Sequence, residues 1–210
     1  MSPKALTNPR KMATQGRSRA TVDALIQATA RILVREGFDK TSTNRIAEVA
    51  GVSIGSLYQY FPGKDALVAA VIDRHHEDLM RVVRKALSDA SPHSIAKGVR
   101  IIIAAAVAAH RIDPRLHRVL AEQIPRTGRL EHVEVFNHEA QSLFRAYLEE
   151  HKDEIGRSDL DLAAFICGTT IEALSHTVVS YRPRMLSDEL VGTLVGEGTS
   201  LVVGYLQSQS

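Results

Sequence analysis

Between Thr41 and Gly63 the chain carries two short helical signatures separated by one glycine, and few folds accommodate such a pair. Thr41, Ser42 and Thr43 offer adjacent helix N-caps, and Ile46, Ala47, Val49 and Ala50 follow at helical spacing until Gly51. Ser53 caps a second short helix from Ile54 to about Tyr60, and Pro62-Gly63 breaks it. Leu57 and Phe61 stand four apart and share its buried face. Upstream, Val22, Leu25, Ile26, Ala30, Leu33 and Val34 repeat with a helical period from Thr21 and stop at Gly37. Two short helices joined through a glycine turn, with a longer helix before them, form the helix-turn-helix pattern.

Beyond Lys64 the helical period continues in longer segments. It predicts helices over residues 65–89, 94–111, 114–124, 130–155, 160–181 and 187–207, with Pro125-Arg126-Thr127-Gly128 as a loop. No alternating strand, hairpin dipeptide or repeat competes with this reading. The expected fold class is therefore all-α: an N-terminal three-helix helix-turn-helix domain plus a six-helix C-terminal domain. The expected divisions are an arm over 1–18, the helix-turn-helix over 19–64 and a body over 65–210.

Apolar residues make up 44% of the chain and charged ones 24%, a composition that supplies a real core. The single cysteine, Cys167, excludes an intramolecular disulfide and a cysteine-based zinc site. The longest uninterrupted apolar run, residues 101–109, is nine long, against about 20 needed to cross a bilayer. The first residues are basic without an apolar segment, unlike a secretory signal. The expectation is a cytoplasmic protein with no membrane partner.

Charge is distributed unevenly. Residues 1–64 hold ten Lys/Arg against four Asp/Glu, a net of +6, and residues 65–210 hold sixteen against twenty, a net of −4. A basic head on an acidic body suits a polyanion at the head only. Lys4, Arg10, Lys11, Arg17 and Arg19 precede Thr21 in a segment without apolar periodicity. It reads either as a flexible DNA-contacting arm, with Arg19 among the contacts, or as a solvated tail.

In a helix-turn-helix the second short helix enters the DNA major groove. Its outward residues here are Ser56, Gln59 and Tyr60, with Gly55 permitting close approach. Gln bonds an adenine edge at two atoms, and Ser gives or takes one bond. Tyr58 and Tyr60 bring hydroxyls within reach of phosphates, and Thr43 opens the preceding helix with free N–H groups beside Asn44 and Arg45. Lys64 sits where the chain leaves the groove. Two alternatives stand: Tyr58 packs in the small core, and Ser53 is a cap, a phosphate contact or both.

The run TSTNRIAEVAGVSIGSLYQYFPGKDAL, from Thr41 to Leu67 and preceded by Gly37-Phe38, resembles the N-terminal domain of the TetR family of transcriptional repressors. The resemblance covers about residues 18–70. It implies a homodimer that binds double-stranded palindromic operator DNA and is released by a small-molecule inducer held in the C-terminal domain. The positions matching family DNA contacts are Thr43, Asn44 and Arg45, then Ser53, Ile54, Gly55 and Ser56, then Tyr58, Gln59 and Tyr60, and Lys64. Ile54 and Gly55 depart from good hydrogen-bond donors, so direct base reading rests on few residues, with arm contacts or DNA shape supplying the remainder.

In the family the last two helices form a four-helix dimer interface. Here Cys167, Ile171 and Leu174 repeat along the first, while Gly192 and Gly196 stand four apart on the second beside Leu201. The alternative is that this pair completes a monomer core. For a pocket, Phe165, Thr169, Glu172 and His176 fall on one helix face. Glu172 suits a cationic or hydroxyl-bearing ligand, or simply pairs with His176. His110, Glu122, Phe136, His138 and Phe144 are further lining candidates. No P-loop, GxGxxG, GxSxG or HExxH is present, so neither an enzyme, a cofactor nor a metal site is expected. The competing reading is a small-molecule or metal binding protein of the same fold without productive DNA binding.

Overall fold

The structure is a computed structural model. It describes residues 16–127, 130–181 and 187–209, and their side chains except those of 16–17, 122–127, 130–133 and 180–181. The described residues form nine α-helices and no strand. They are α1 (Gly16–Glu36), α2 (Thr43–Ala50), α3 (Ile54–Tyr60), α4 (Lys64–Ala90), α5 (Ile95–Arg111), α6 (Pro114–Thr127), α7 (Leu130–Glu150), α8 (Leu160–Tyr181) and α9 (Asp188–Gln207).

Three boundaries differ from the sequence expectation. Helix α1 already begins at Gly16, so Arg17 and Ser18 are helical rather than part of the arm; the residues before Gly16 lie outside the described ones. Helix α6 continues through Pro125 to Thr127, where a loop was expected. A proline there forgoes one backbone bond without ending the helix. Helix α7 stops at Glu150, and a 3-10 turn follows over Lys152–Glu154. That turn brings the Glu154 carboxylate to the Ile95 N–H, which donates to it at 3.1 Å and so satisfies one of the orphan donors at the start of α5.

Two compact units result. Of the described residues, one unit takes those up to His76 together with those of 115–133, and the other takes Glu77–Pro114 and those from Glu134 on. The first unit is larger than residues 19–64 because its core is. Leu25, Leu33, Ile46, Leu57 and Phe61 from α1 to α3 are buried with Leu67, Val68 and Ile72 of α4 and Leu120 of α6. Three short helices alone present little apolar area, and small units bury a smaller share of their surface. The turn between α2 and α3 depends on Gly51, whose φ of 69° is the left-handed C-cap conformation. From it Gly51 N–H donates to Glu48 O and Val52 N–H to Ala47 O.

In the second unit α5 packs on both α8 and α9. Ile95, Val99, Ile103 and Val107 form an i, i+4 stripe on α5, buried with Leu148, Ala163, Cys167, Val202 and Leu206. Gly98 is required by close approach: a Cβ there would overlap the Tyr147 hydroxyl. That hydroxyl is buried without a hydrogen-bond partner. Burial, then Glu154 and Glu150, pushes its pKa to about 12. The segment Leu160–Val179 has the length and mean hydropathy, 1.4, to cross a membrane, and is the one such helix among the described residues. Its inner face, with Ala163, Ala164, Cys167 and Ile171, belongs to this unit's core.

Candidate nucleic-acid interface and internal cavity

Capping sets the α2–α3 surface. Ser42 caps α2 by accepting the Arg45 N–H, and Ser53 caps α3 by accepting the Ser56 N–H at 3.1 Å. The Ser53 and Ser56 hydroxyls also bond each other at 2.8 Å. Ile46 and Ala47 of α2, and Leu57 and Phe61 after them, point into the core, which turns Asn44, Ser53, Ile54, Gly55, Tyr58 and Gln59 outward. Ile54 is 39% exposed and Tyr58 42%, an unusual display of large apolar surface on two neighbouring turns. Tyr58 is therefore not the core residue of the pair; the half-buried Tyr60 packs against the core. Tyr58 hydroxyl and Thr43 Oγ1 lie 3.1 Å apart, tying α3 to the first turn of α2.

Two expected DNA contacts have partners within the chain. Arg45 donates from Nη1 to Glu48 at 2.9 Å and reaches Glu36 at 3.4 Å. Glu48, and after it Glu36, hold its guanidinium pKa above the ordinary value. Lys64 Nζ donates to Phe38 O at 3.1 Å and sits 4.0 Å from the centre of the Phe38 ring. These contacts are partly exposed, and each leaves the cation further donors for a phosphate. Gly55 meets little: a Cβ there would touch only Ser53 Oγ, at 3.9 Å. Its own unit therefore does not require a glycine, although glycine within a helix costs about 1 kcal/mol. Arg19 is exposed on α1.

The second unit carries an open-mouthed cavity of about 410 Å³, within the range of small-molecule sites, with Phe165 and Glu172 at its exposed side. His110, Phe136, Phe144 and Phe165 line it, with Thr169, Glu172 and His176. His138 does not: it lies about 200° around α7 from Phe136 and is exposed. The Glu122 side chain lies outside the described residues. Sequence reading missed the α4 wall, Leu79, Val82, Val83, Ala86 and Leu87, and the polar Asn137 and Gln141. The α4 residues repeat at helical spacing, the one signal that could have found them.

The polar end of the cavity is built across sequence. His110 Nδ1 lies 2.8 Å from Ala106 O, and its Nε2 lies 3.3 Å from Glu172 Oε1. The His176 ring stands edge-on to His110 at 6.5 Å. Burial alone lowers the His110 pKa, but the Glu172 hydrogen bond and charge, with the Ala106 carbonyl, outweigh it and leave a net rise. The sequence leaves Glu172 open to a ligand or to His176 one turn away; the contact with His110 comes from another helix.

Of the residues expected at a dimer interface, Cys167 and Ile171 are buried inside the unit's own core, and Leu174 lies against Gly198. Burial pushes the Cys167 thiol to about 12. The exposed side of α8 instead carries Leu162, Phe165, Thr169 and Ala173, on nearly the opposite side of the helix from the residues read from sequence. On α9 Gly192 and Leu201 are exposed, Gly196 is half-buried, and Leu190 and Glu197 share the outer face.

Residues 25–71 match the family described as bacterial regulatory proteins, tetR family, and residues 94–206 match the tetracyclin repressor-like C-terminal domain. Among curated relatives, the nucleoid occlusion factor SlmA of Haemophilus ducreyi is 32% identical over 85 residues, covering 40% of this chain and 41% of that protein. The matched stretch is thus about two fifths of that relative's length. Among solved structures, the fatty acid degradation regulator FadR from Bacillus halodurans superposes with a TM-score of 0.66 at 20% identity, covering 95% of this chain and 100% of that one. The SmeT–triclosan complex gives a TM-score of 0.64 at 20% identity, covering 87% and 90%. Likeness at this identity establishes the shared fold alone.

Proposed function

This chain belongs to the TetR family of DNA-binding transcriptional regulators, and we propose that it is a ligand-released repressor that binds a palindromic operator as a homodimer. The observation that carries the reading is the α2–α3 surface, where Leu57 and Phe61 anchor the helix and Asn44, Ser53, Ile54, Gly55, Tyr58 and Gln59 face outward. Gln59 suits an adenine edge, Ile54 a thymine methyl and Tyr58 a phosphate. Thr43, Ser56 and Tyr60 support that surface. Arg45, Lys64, Arg19 and the basic residues before Gly16 add the sequence-independent attraction to phosphate.

A palindrome needs two heads. The outer faces of α8 and α9, with Leu162, Leu190 and Leu201 exposed, are the apolar surface available for pairing two copies. Release follows from linkage. A ligand that favours a conformation whose heads are misspaced for half-sites about 34–36 Å apart must weaken DNA binding, and DNA must weaken ligand binding by the same factor. Helix α4 carries the chain from the first unit to the second and is the natural lever. The protein acts in the cytoplasm.

Titration of a fluorescent duplex with the purified full-length protein tests this, read by anisotropy and light scattering across salt concentration. Two chains per duplex and an affinity that falls steeply with salt are expected, since each neutralised phosphate adds about −0.9 to the log–log slope. A monomer whose weak binding ignores salt would favour the competing reading, a small-molecule binding protein of this fold that does not engage DNA.

A further inference from the structure

The cavity of the second unit has apolar walls and one polar end, and the charges at that end restrict what enters. Among its described lining residues there is one carboxylate, Glu172, and no lysine or arginine. Glu172 already faces a ring nitrogen of His110. Both ring nitrogens of His110 lie against oxygens, Ala106 O at 2.8 Å and Glu172 Oε1 at 3.3 Å. A neutral imidazole donates from one nitrogen only, so the protonated ring satisfies both. His110 is itself buried, with 3% exposure.

Three kinds of head group then compare simply. An anion would meet the Glu172 carboxylate with no lysine or arginine among the described lining residues to hold it. An ammonium would compete with His110 for the carboxylate and would lose its hydration to do so. A hydroxyl brings no net charge and donates one hydrogen bond to a carboxylate, whose two oxygens offer about four acceptor sites. The walls ask for the rest of the molecule to be apolar: Phe136, Phe144 and Phe165 line the cavity together with aliphatic residues such as Leu79, Val83 and Ile102.

We propose that this cavity takes an uncharged, largely apolar molecule bearing one hydroxyl, which donates to Glu172. The inference rests on the ligand-released reading and names the ligand class for it.

Five probes on one skeleton test it by calorimetry on the full-length protein: biphenyl, 4-phenylphenol, 4-methoxybiphenyl, biphenyl-4-carboxylate and 4-biphenylmethylammonium. The phenol is expected to bind about tenfold or more tighter than each of the others, the margin of a hydrogen bond to a charged acceptor. In Glu172→Gln that margin shrinks to a few-fold, while biphenyl keeps its affinity and so reports an intact cavity. If Glu172→Gln does not fold, the ranking on the unaltered protein decides. The proposal is overturned if the carboxylate or the ammonium equals the phenol, if all five bind alike, or if none binds. Adding the phenol to the protein–duplex complex separates the two readings. Selective binding without DNA release leaves the ligand class standing and removes the release mechanism.

Discussion

The two units build their chemical surfaces over different lengths of chain. In the first, the outward residues all lie between Asn44 and Gln59, and the caps and turn that aim them lie in the same run. In the second, the polar end of the cavity joins His110 to Glu172, 62 residues apart, and both rely on a core shared by α5, α8 and α9. The first is a surface that local structure presents. The second is an interior that only tertiary packing creates. A short motif can therefore announce a DNA-reading face, while a ligand cavity stays hidden until distant helices meet.

Substitutions sharpen this contrast, and the largest effect falls on the anchor of the local surface. Leu57→Ala empties a fully buried site in a small core and should cost about 2–5 kcal/mol. DNA binding should fall with it, as followed by circular dichroism in denaturant and by duplex titration. Retained duplex affinity would mean that α3 is not the reading helix. In the second unit, Gly98→Ala drives a methyl into the Tyr147 hydroxyl and should cost about 1–3 kcal/mol. Tyr147→Phe alone should be nearly neutral, because its hydroxyl has no partner to lose, and should rescue most of the Gly98→Ala defect. Additive effects in that double-mutant cycle would contradict the packing described.

A smaller effect separates two roles of one residue. Ser53→Ala should cost about 1 kcal/mol of stability as a lost cap, whereas Ser53→Gly should cost only a few tenths. If Ser53 also holds a phosphate, both variants lose duplex affinity equally; if it is a cap alone, affinity follows stability. The smallest expected effect is a pH dependence in the second unit. The His110 pKa is raised above its ordinary value, so its contribution is fully present below about pH 6.5 and is lost as pH rises through the folded-state value. The thermal midpoint should drift down across that window, and Glu172→Gln should flatten the drift. An unchanged slope would show that Glu172 does not hold the proton on His110.

Legibility followed the same divide. Helix identity was readable throughout, because the apolar period and the Ser, Gly and Pro signals are local. Residues 160–181 were bounded at both ends from sequence alone. Local pattern failed where a tertiary partner decides the outcome. Helix α6 ran through Pro125, and Asp65 to His76 joined the first unit because Leu67, Val68 and Ile72 complete its core. On α8 the apolar residues surround the helix, so period alone could not tell the buried Cys167 and Ile171 from the exposed Leu162 and Phe165. His110 and Glu172 were each visible as candidates, but nothing in the chain pointed one to the other. Arg45 and Lys64 read as DNA contacts; the i,i+3 spacing of Arg45 and Glu48 is a local signal for one partner, but none revealed Glu36 or Phe38.

The central claim is that the run from Ser42 to Tyr60 reads a DNA sequence and that two copies do so together. Selection of bound duplexes from a random-sequence pool, with the full-length protein at low and moderate salt, tests it most directly. The account predicts an enriched inverted repeat, its half-sites centred about one helical turn or a multiple apart. It also predicts that Gln59→Ala relaxes the preference at one symmetric pair of positions. Enrichment of no sequence at either salt, or of a single half-site indifferent to α3, would contradict it.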